Sequence, residues 1–197
     1  SIGNFAWMSK NLNSSTFRNG DSIPEIKSDS AWKRAAIEMK PACCSYNNDS
    51  SNDEKYGKLY NWFAITDPRG IAPIGWKVPN DEEWTELINY LDPKQNSITN
   101  ETQSYIAGKK LKCSKSWVKR NTSNTNESGF TALPSGYRSF YGNFFGIGDD
   151  GIQDCAYWWT TSAFEYGNKF AYYRSVDSHG EGVGRGFHHK GFGFSVR

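Results

Sequence analysis

Apolar positions recur at helical spacing in three stretches of the first half of the chain. Over residues 30–39, Trp32, Ala35, Ala36 and Met39 fall on one face, and Pro41 stops the helix. Tyr56, Leu59, Tyr60 and Phe63 repeat the same spacing, so a second helix is expected there, with Gly57 working against it. The third runs from Pro79 to Leu91. Asn80 can accept from the backbone N–H of Glu83 while the Glu83 side chain reaches back, and Asp81, Glu82 and Glu83 suit the positive end of the helix dipole. Trp84, Leu87, Ile88 and Leu91 form its buried stripe, and Pro93 ends it.

The second half changes to short strands and turns. Residues 129–138 read as a strand into a turn. Residues 157–162, 169–176 and 191–197 read as strands of one antiparallel sheet. In a regular strand Trp158 and Trp159 point to opposite faces, so at most one of them is expected to be fully buried. Helices early and sheet late, with no internal repeat and only a polar Asn/Ser-rich stretch at 121–128, give a single α+β domain over residues 1–197.

Composition narrows the class. The 197 residues are only 37% hydrophobic, yet 8 Trp, 11 Tyr and 12 Phe supply the bulk for a packed core and exclude a disordered chain. No apolar run reaches the roughly 18 residues of a membrane span. A net charge of +2 leaves no electrostatic footprint for nucleic acid or for direct membrane insertion. The chain opens at Ser1 without a signal-peptide pattern and is read as a mature form or a piece of a longer precursor. Cys43, Cys44, Cys113 and Cys155 do not have the spacing of a disulfide scaffold or zinc ribbon. One bridge from the adjacent pair to Cys113 or Cys155 is open in an oxidising compartment.

The ordered motifs Ile2-Gly-Asn, Trp7-Met, Asn11-Leu, Tyr46-Asn-Asn-Asp49, Tyr56-Gly-Lys-Leu-Tyr-Asn-Trp62, Gly75-Trp-Lys-Val-Pro-Asn-Asp-Glu-Glu-Trp84, Gly129-Phe-Thr-Ala-Leu-Pro134, Gly136-Tyr-Arg138, Tyr157-Trp-Trp159 and Gly193-Phe-Ser-Val-Arg197 span nearly the whole chain. Together they resemble the Fibrobacter succinogenes major paralogous domain, a family of secreted and surface proteins of Bacteroidetes-like bacteria. That family looks like a relative of the formylglycine-generating enzymes, whose fold is a variant of the C-type lectin fold. The resemblance therefore implies a C-type lectin-like fold with short helices on a twisted antiparallel sheet. It also implies an extracellular or cell-surface location, with a lipoprotein anchor in the precursor as one route. Fold alone does not fix activity.

Candidate chemistry is sparse. Formylglycine-type oxidation needs a reactive cysteine pair in the C-terminal sheet region, and no cysteine follows Cys155. The three histidines, His179, His188 and His189, lie in the tail and read as exposed loop residues. Asp177 and Ser178 adjoin His179 in sequence, but a triad needs convergent side chains rather than neighbours. A metal site from Asp177 and the histidines lacks ligand spacing, so no catalytic or metal residue is assigned. The acidic loop 149–154 could hold a structural calcium, but it matches no EF-hand loop and reads better as a solvated turn. No other cofactor is expected.

The tail from Phe164 to Gly191 mixes exposed-type aromatics, polar groups and five glycines between Gly180 and Gly191. Such a mixture suits a ligand-contacting surface built from loops, because aromatics give area and small polar residues give adaptable hydrogen bonds. The expected ligand-binding residues are Phe164, Tyr166, Asn168, Ser175, Asp177, Ser178, His179, Gly184, Phe187, His188 and His189. Domains resembling this one also occur as variable proteins of diversity-generating retroelements, which randomise adenines in Asn codons and reach every residue type except Lys, Glu, Gln, Met and Trp. Between Ser175 and His189 only Glu181 falls outside that set, while Tyr173, Arg174, Val176, Val183 and Arg185 fit a fixed scaffold. The expected function is a non-enzymatic ligand-binding module for a cell-surface protein or glycan. The alternatives are a formylglycine-generating-type oxidase and a structural domain of a surface adhesin.

Overall fold

A computed structural model describes residues 1–94, 102–118, 123–147 and 154–197. Five α-helices are present among them: α1 (Asp29–Ile37), α2 (Asp53–Tyr56), α3 (Trp62–Ile65), α4 (Asp81–Leu91) and α5 (Ala107–Leu111). Strands β1 (Cys43–Cys44) and β2 (Leu59–Tyr60) form one antiparallel pair, and β4 (Tyr137–Arg138) and β5 (Phe144–Phe145) another. The main sheet contains β3 (Thr102–Ser104), β6 (Cys155–Ala163), β7 (Phe170–Asp177) and β8 (Val183–His189), in the antiparallel order β3-β8-β7-β6. This is an α+β chain. Among the described residues no helix is long and apolar enough to cross a membrane.

Helix α4 forms as its local sequence dictates. Asn80 Oδ1 accepts from Glu83 N–H at 2.8 Å, the Asn80 N–H donates to Glu83 Oε2 at 3.0 Å, and Trp84, Leu87, Ile88 and Leu91 are buried. Helix α1 also forms, with Trp32, Ala35 and Ala36 buried, but Met39 departs from the expected face. The Lys40 and Met39 N–H groups donate to the Ala35 and Ala36 carbonyls, which closes a Schellman turn with Met39 at φ 54° and 71% exposed.

The expected helix over 56–63 is replaced by the end of α2, strand β2 and the start of α3. Gly57 is the reason. It sits at φ 74°, and a β-carbon there would lie 2.7 Å from the Leu12 carbonyl oxygen, so the chain passes too close for a helix to continue. Asn61 then restarts a helix by accepting from Ala64 N–H at 3.0 Å.

Both Trp158 and Trp159 are fully buried, against expectation, because β6 has a core on each side. Trp158 packs with Trp84, Leu87, Ile88, Phe130 and Val176. Trp159 packs with Tyr60, Ala171, Phe194 and Val196. Each indole N–H is satisfied, by Asn11 Oδ1 and by the Tyr60 carbonyl, both at 2.9 Å.

The C-terminal pattern is corrected more deeply. Residues 191–197 hold only isolated bridges, such as Tyr60 with Phe194 and Trp158 with Ser195. The segment read as tail loops instead supplies the regular strand β8. Its glycines conceal the alternation: a β-carbon at Gly186 would fall 2.7 Å from the Tyr173 hydroxyl, so the tyrosine fills the space a side chain would occupy. All four cysteines are buried and free, so the bridge left open by the sequence is not formed. Of the acidic loop only Asp154 lies within the described residues, where its carboxylate accepts from Val118 N–H at 2.9 Å.

Candidate functional site

Strand alternation divides the residues expected to bind ligand between two faces of the sheet. In the β7–β8 register, Tyr172 opposes Phe187, Phe170 opposes His189, and Ala171 opposes His188. Phe187 and His189 therefore emerge on one side, and His188 on the other with Ser175 and Gly184. His188 lies 3.7 Å from the Phe192 ring, half-buried, and is no loop residue. Burial and then His189 lower its pKa.

Three candidates sit at the β7–β8 turn, and only His179 among them is exposed. Asp177 Oδ1 accepts from the His179 and Gly180 N–H groups at 2.8 and 3.1 Å, which builds the turn. Lys112 Nζ fastens it by donating to the Asp177 and Gly180 carbonyls at 2.8 and 2.6 Å. Ser178 is fully buried, and its hydroxyl has no partner among the described residues, so it contributes nothing to a surface. His179 is exposed at the tip.

On the first face the aromatic rings form an unbroken ribbon. Tyr166 meets Phe164 at 5.8 Å, and Phe164 stacks on Phe187 at 3.8 Å. Phe187 meets Phe170 at 5.8 Å, and Phe170 meets His189 at 6.1 Å. His189 then packs edge-on against Phe140 at 4.5 Å, and Phe140 against Tyr141 at 5.3 Å. Tyr166 is 84% and Phe187 48% exposed. Asn168 and Lys169 stand exposed beside the ribbon on the β6–β7 connection.

The ribbon ends in a cleft of about 320 Å³ lined by Ala36, Ile37, Met39, Phe63, Phe140, Asn168, Lys169 and His189. Gly191 lets its walls meet, since a β-carbon there would strike Ala36 and come within 2.8 Å of the Phe140 ring. His189 Nδ1 accepts from the Gly191 N–H at 3.0 Å. Burial, followed by the charges of Lys169 and Lys190, lowers the His189 pKa and favours the neutral imidazole. Sequence reasoning missed Ile37, Phe63, Phe140, Tyr141 and Lys169 as site residues and set Met39 on the Trp32 face of α1, because these residues converge only through tertiary packing.

A charged network fixes the ribbon to the scaffold. Arg174 Nη1 donates to Asp81 Oδ1 at 2.6 Å, and Arg185 Nη2 donates to Asp81 Oδ2 at 2.7 Å. Arg174 also donates to Gln103 Oε1, to Thr85 Oγ1 at 3.0 Å and to the Asp81 carbonyl at 3.1 Å. Burial alone would raise the Asp81 carboxyl, but hydrogen bonds from Arg185 and the Arg174 charge outweigh it and hold it below the ordinary value. Burial draws Arg174 down to about 10, which leaves the pair ionic at neutral pH. Two adjacent strands are thereby tied to the first turn of α4.

The family model of the Fibrobacter succinogenes major domain matches residues 1–197. The chain belongs to that family. No curated protein and no solved structure gives a significant match. The Fibrobacter major domain of this chain thus carries its exposed aromatic ribbon on one face of the β6–β7–β8 sheet, and a half-buried tyrosine cluster on the other. In that cluster Tyr137 meets Tyr157 at 5.0 Å, and Tyr157 meets Tyr173 at 5.1 Å.

Proposed function

We propose that this domain is a non-enzymatic, extracellular or cell-surface ligand-binding module of C-type lectin-like fold, and that the aromatic ribbon with its cleft is the binding face. The observation that carries this reading is the run of six ring contacts from Tyr166 to Tyr141. An unbroken run of partly exposed aromatic rings on a rigid sheet suits recognition of a protein or a glycan. The binding residues in this proposal are Phe164, Tyr166, Asn168, Phe187 and His189.

Against an oxidase of the formylglycine-generating type stand the absence of cysteine after Cys155 in the sequence and the state of Cys155 itself, whose buried thiol is pushed up to about 12. Burial of the four thiols also shields them from oxidation, so free cysteines are compatible with an exported domain. If a retroelement diversifies the tail, exposed positions such as Phe187 and His179 accept new side chains while buried Arg174, Val176 and Val183 hold the strands. Ser178, buried beside them, belongs with the fixed set.

The test is a screen of wild type and a Tyr166→Ser/Phe187→Ser variant against a glycan array and a phage-displayed random peptide library. Both substitutions are at exposed rings, so the melting temperature should stay within a few degrees while binding to the hits falls about tenfold or more. Hits that bind both proteins equally would remove the ribbon from the function.

A further inference from the structure

The cleft at the end of the ribbon differs in character from the ribbon itself. Its α1 wall presents Ile37 and Met39, 62% and 71% exposed, neither of which offers a π-face or a hydrogen bond. Met39 holds its place in the left-handed region, which a residue other than glycine adopts only under strain. A sugar ring would have to bury hydroxyls against these groups without partners, whereas an apolar side chain loses nothing there. At about 320 Å³ the cleft has room for one large side chain.

The charges at the cleft that have no ion-pair partner among the described residues are cationic. Lys169 lines it, Lys33 lies over the Phe140 and Tyr141 rings at 5.9 and 5.1 Å, and Lys190 lies over Trp62 at 4.1 Å. Among the described residues none of the three makes an ion pair. No carboxylate lines the cleft, and Glu38 at the end of α1 is engaged by Lys40 at 2.7 Å. A second copy of the same face would bring like charges together, so self-association through it is disfavoured.

We propose that the cleft receives an apolar anchor side chain from a protein partner whose flanking residues are acidic. The anchor fills the space between Met39 and Phe140, and the flanking carboxylates meet Lys33 and Lys169. This inference rests on the reading of the ribbon and cleft as the binding face, and it names the partner's chemistry.

Random short peptides displayed on phage are selected on the immobilised wild-type domain, and the enriched peptides are resynthesised. The expected result is enrichment of a large apolar residue beside Asp or Glu, with affinity that weakens as salt rises. Met39→Glu should reduce affinity about tenfold or more, and Lys169→Glu several-fold, at unchanged melting temperature. Met39→Gly, which relieves the left-handed strain and removes the side chain, serves as a second variant and should also weaken binding. Enrichment of neutral or basic peptides, or indifference to all three substitutions, overturns the inference. If no peptide is enriched but a glycan binds and requires Phe187, the inference falls and the binding-face reading stands. If neither a peptide nor a glycan binds, both fall.

Discussion

Replacing Asp81 by alanine removes the carboxylate shared by Arg174 and Arg185 while leaving the helix backbone in place. Arg174 is fully buried, so its charge cannot turn to water. Breaking a buried pair by deleting one partner costs about 3–5 kcal/mol. Arg174 keeps Gln103, Thr85 and the Asp81 carbonyl as acceptors, and Arg185 is partly exposed, so the low end, about 3 kcal/mol, is expected. For a chain of this size that is a fall of roughly 6–12 °C in melting temperature. Urea titration should show the midpoint falling with an unchanged slope. The pH dependence carries the same sign. Folded Asp81 titrates below the unfolded value of 3.8, so its contribution is complete above that pH and is lost as acid protonates the folded carboxyl. Wild type and Asp81→Ala should therefore converge in stability under strong acid. A loss under about 1 kcal/mol at pH 7 would show that neutral acceptors alone hold Arg174, and would refute the role given to the Asp81 carboxylate.

Three further outcomes follow from packing and burial. Trp84→Ala should cost about 3–5 kcal/mol in the same titration, because the fully buried indole touches Trp7, Phe130 and Trp158. Met39→Gly should raise stability by roughly 1 kcal/mol in calorimetry, since glycine tolerates the left-handed turn that strains methionine; an unchanged or lowered value would mean no strain is stored there. The native domain should resist Ellman's reagent, because burial pushes the Cys43, Cys44 and Cys155 thiols up to about 12, and reaction should follow unfolding.

What was legible in the sequence was local. Helix α4 is written into Asn80, Glu83 and the Trp84–Leu91 stripe, and its capping box and burial follow from residues within three turns of one another. Strand β8 was hidden because Gly184 and Gly186 occupy alternate positions, and the side chain that completes the pattern, Tyr173, comes from the neighbouring strand. The burial of both Trp158 and Trp159 depends on a core on each side of β6, which no strand pattern reports. The candidate face was legible only in part. Phe164, Tyr166, Asn168, Phe187 and His189 do share a surface, whereas a tail read as loops gave no reason to separate them from Ser175, Gly184 and His188. Met39 was misplaced because a Schellman turn ends α1 just before it could reach the buried face.

Ligand is expected on the ribbon and cleft rather than on the opposite face of the same sheet. Hydrogen–deuterium exchange on the wild-type domain, with and without the tightest peptide or glycan from the screens, tests it most directly. Protection confined to segments 36–39, 140–141, 164–170 and 187–189 is the predicted result. Protection centred on Tyr157, Tyr173, Ser175 and Gly184, with the ribbon unchanged, would contradict it.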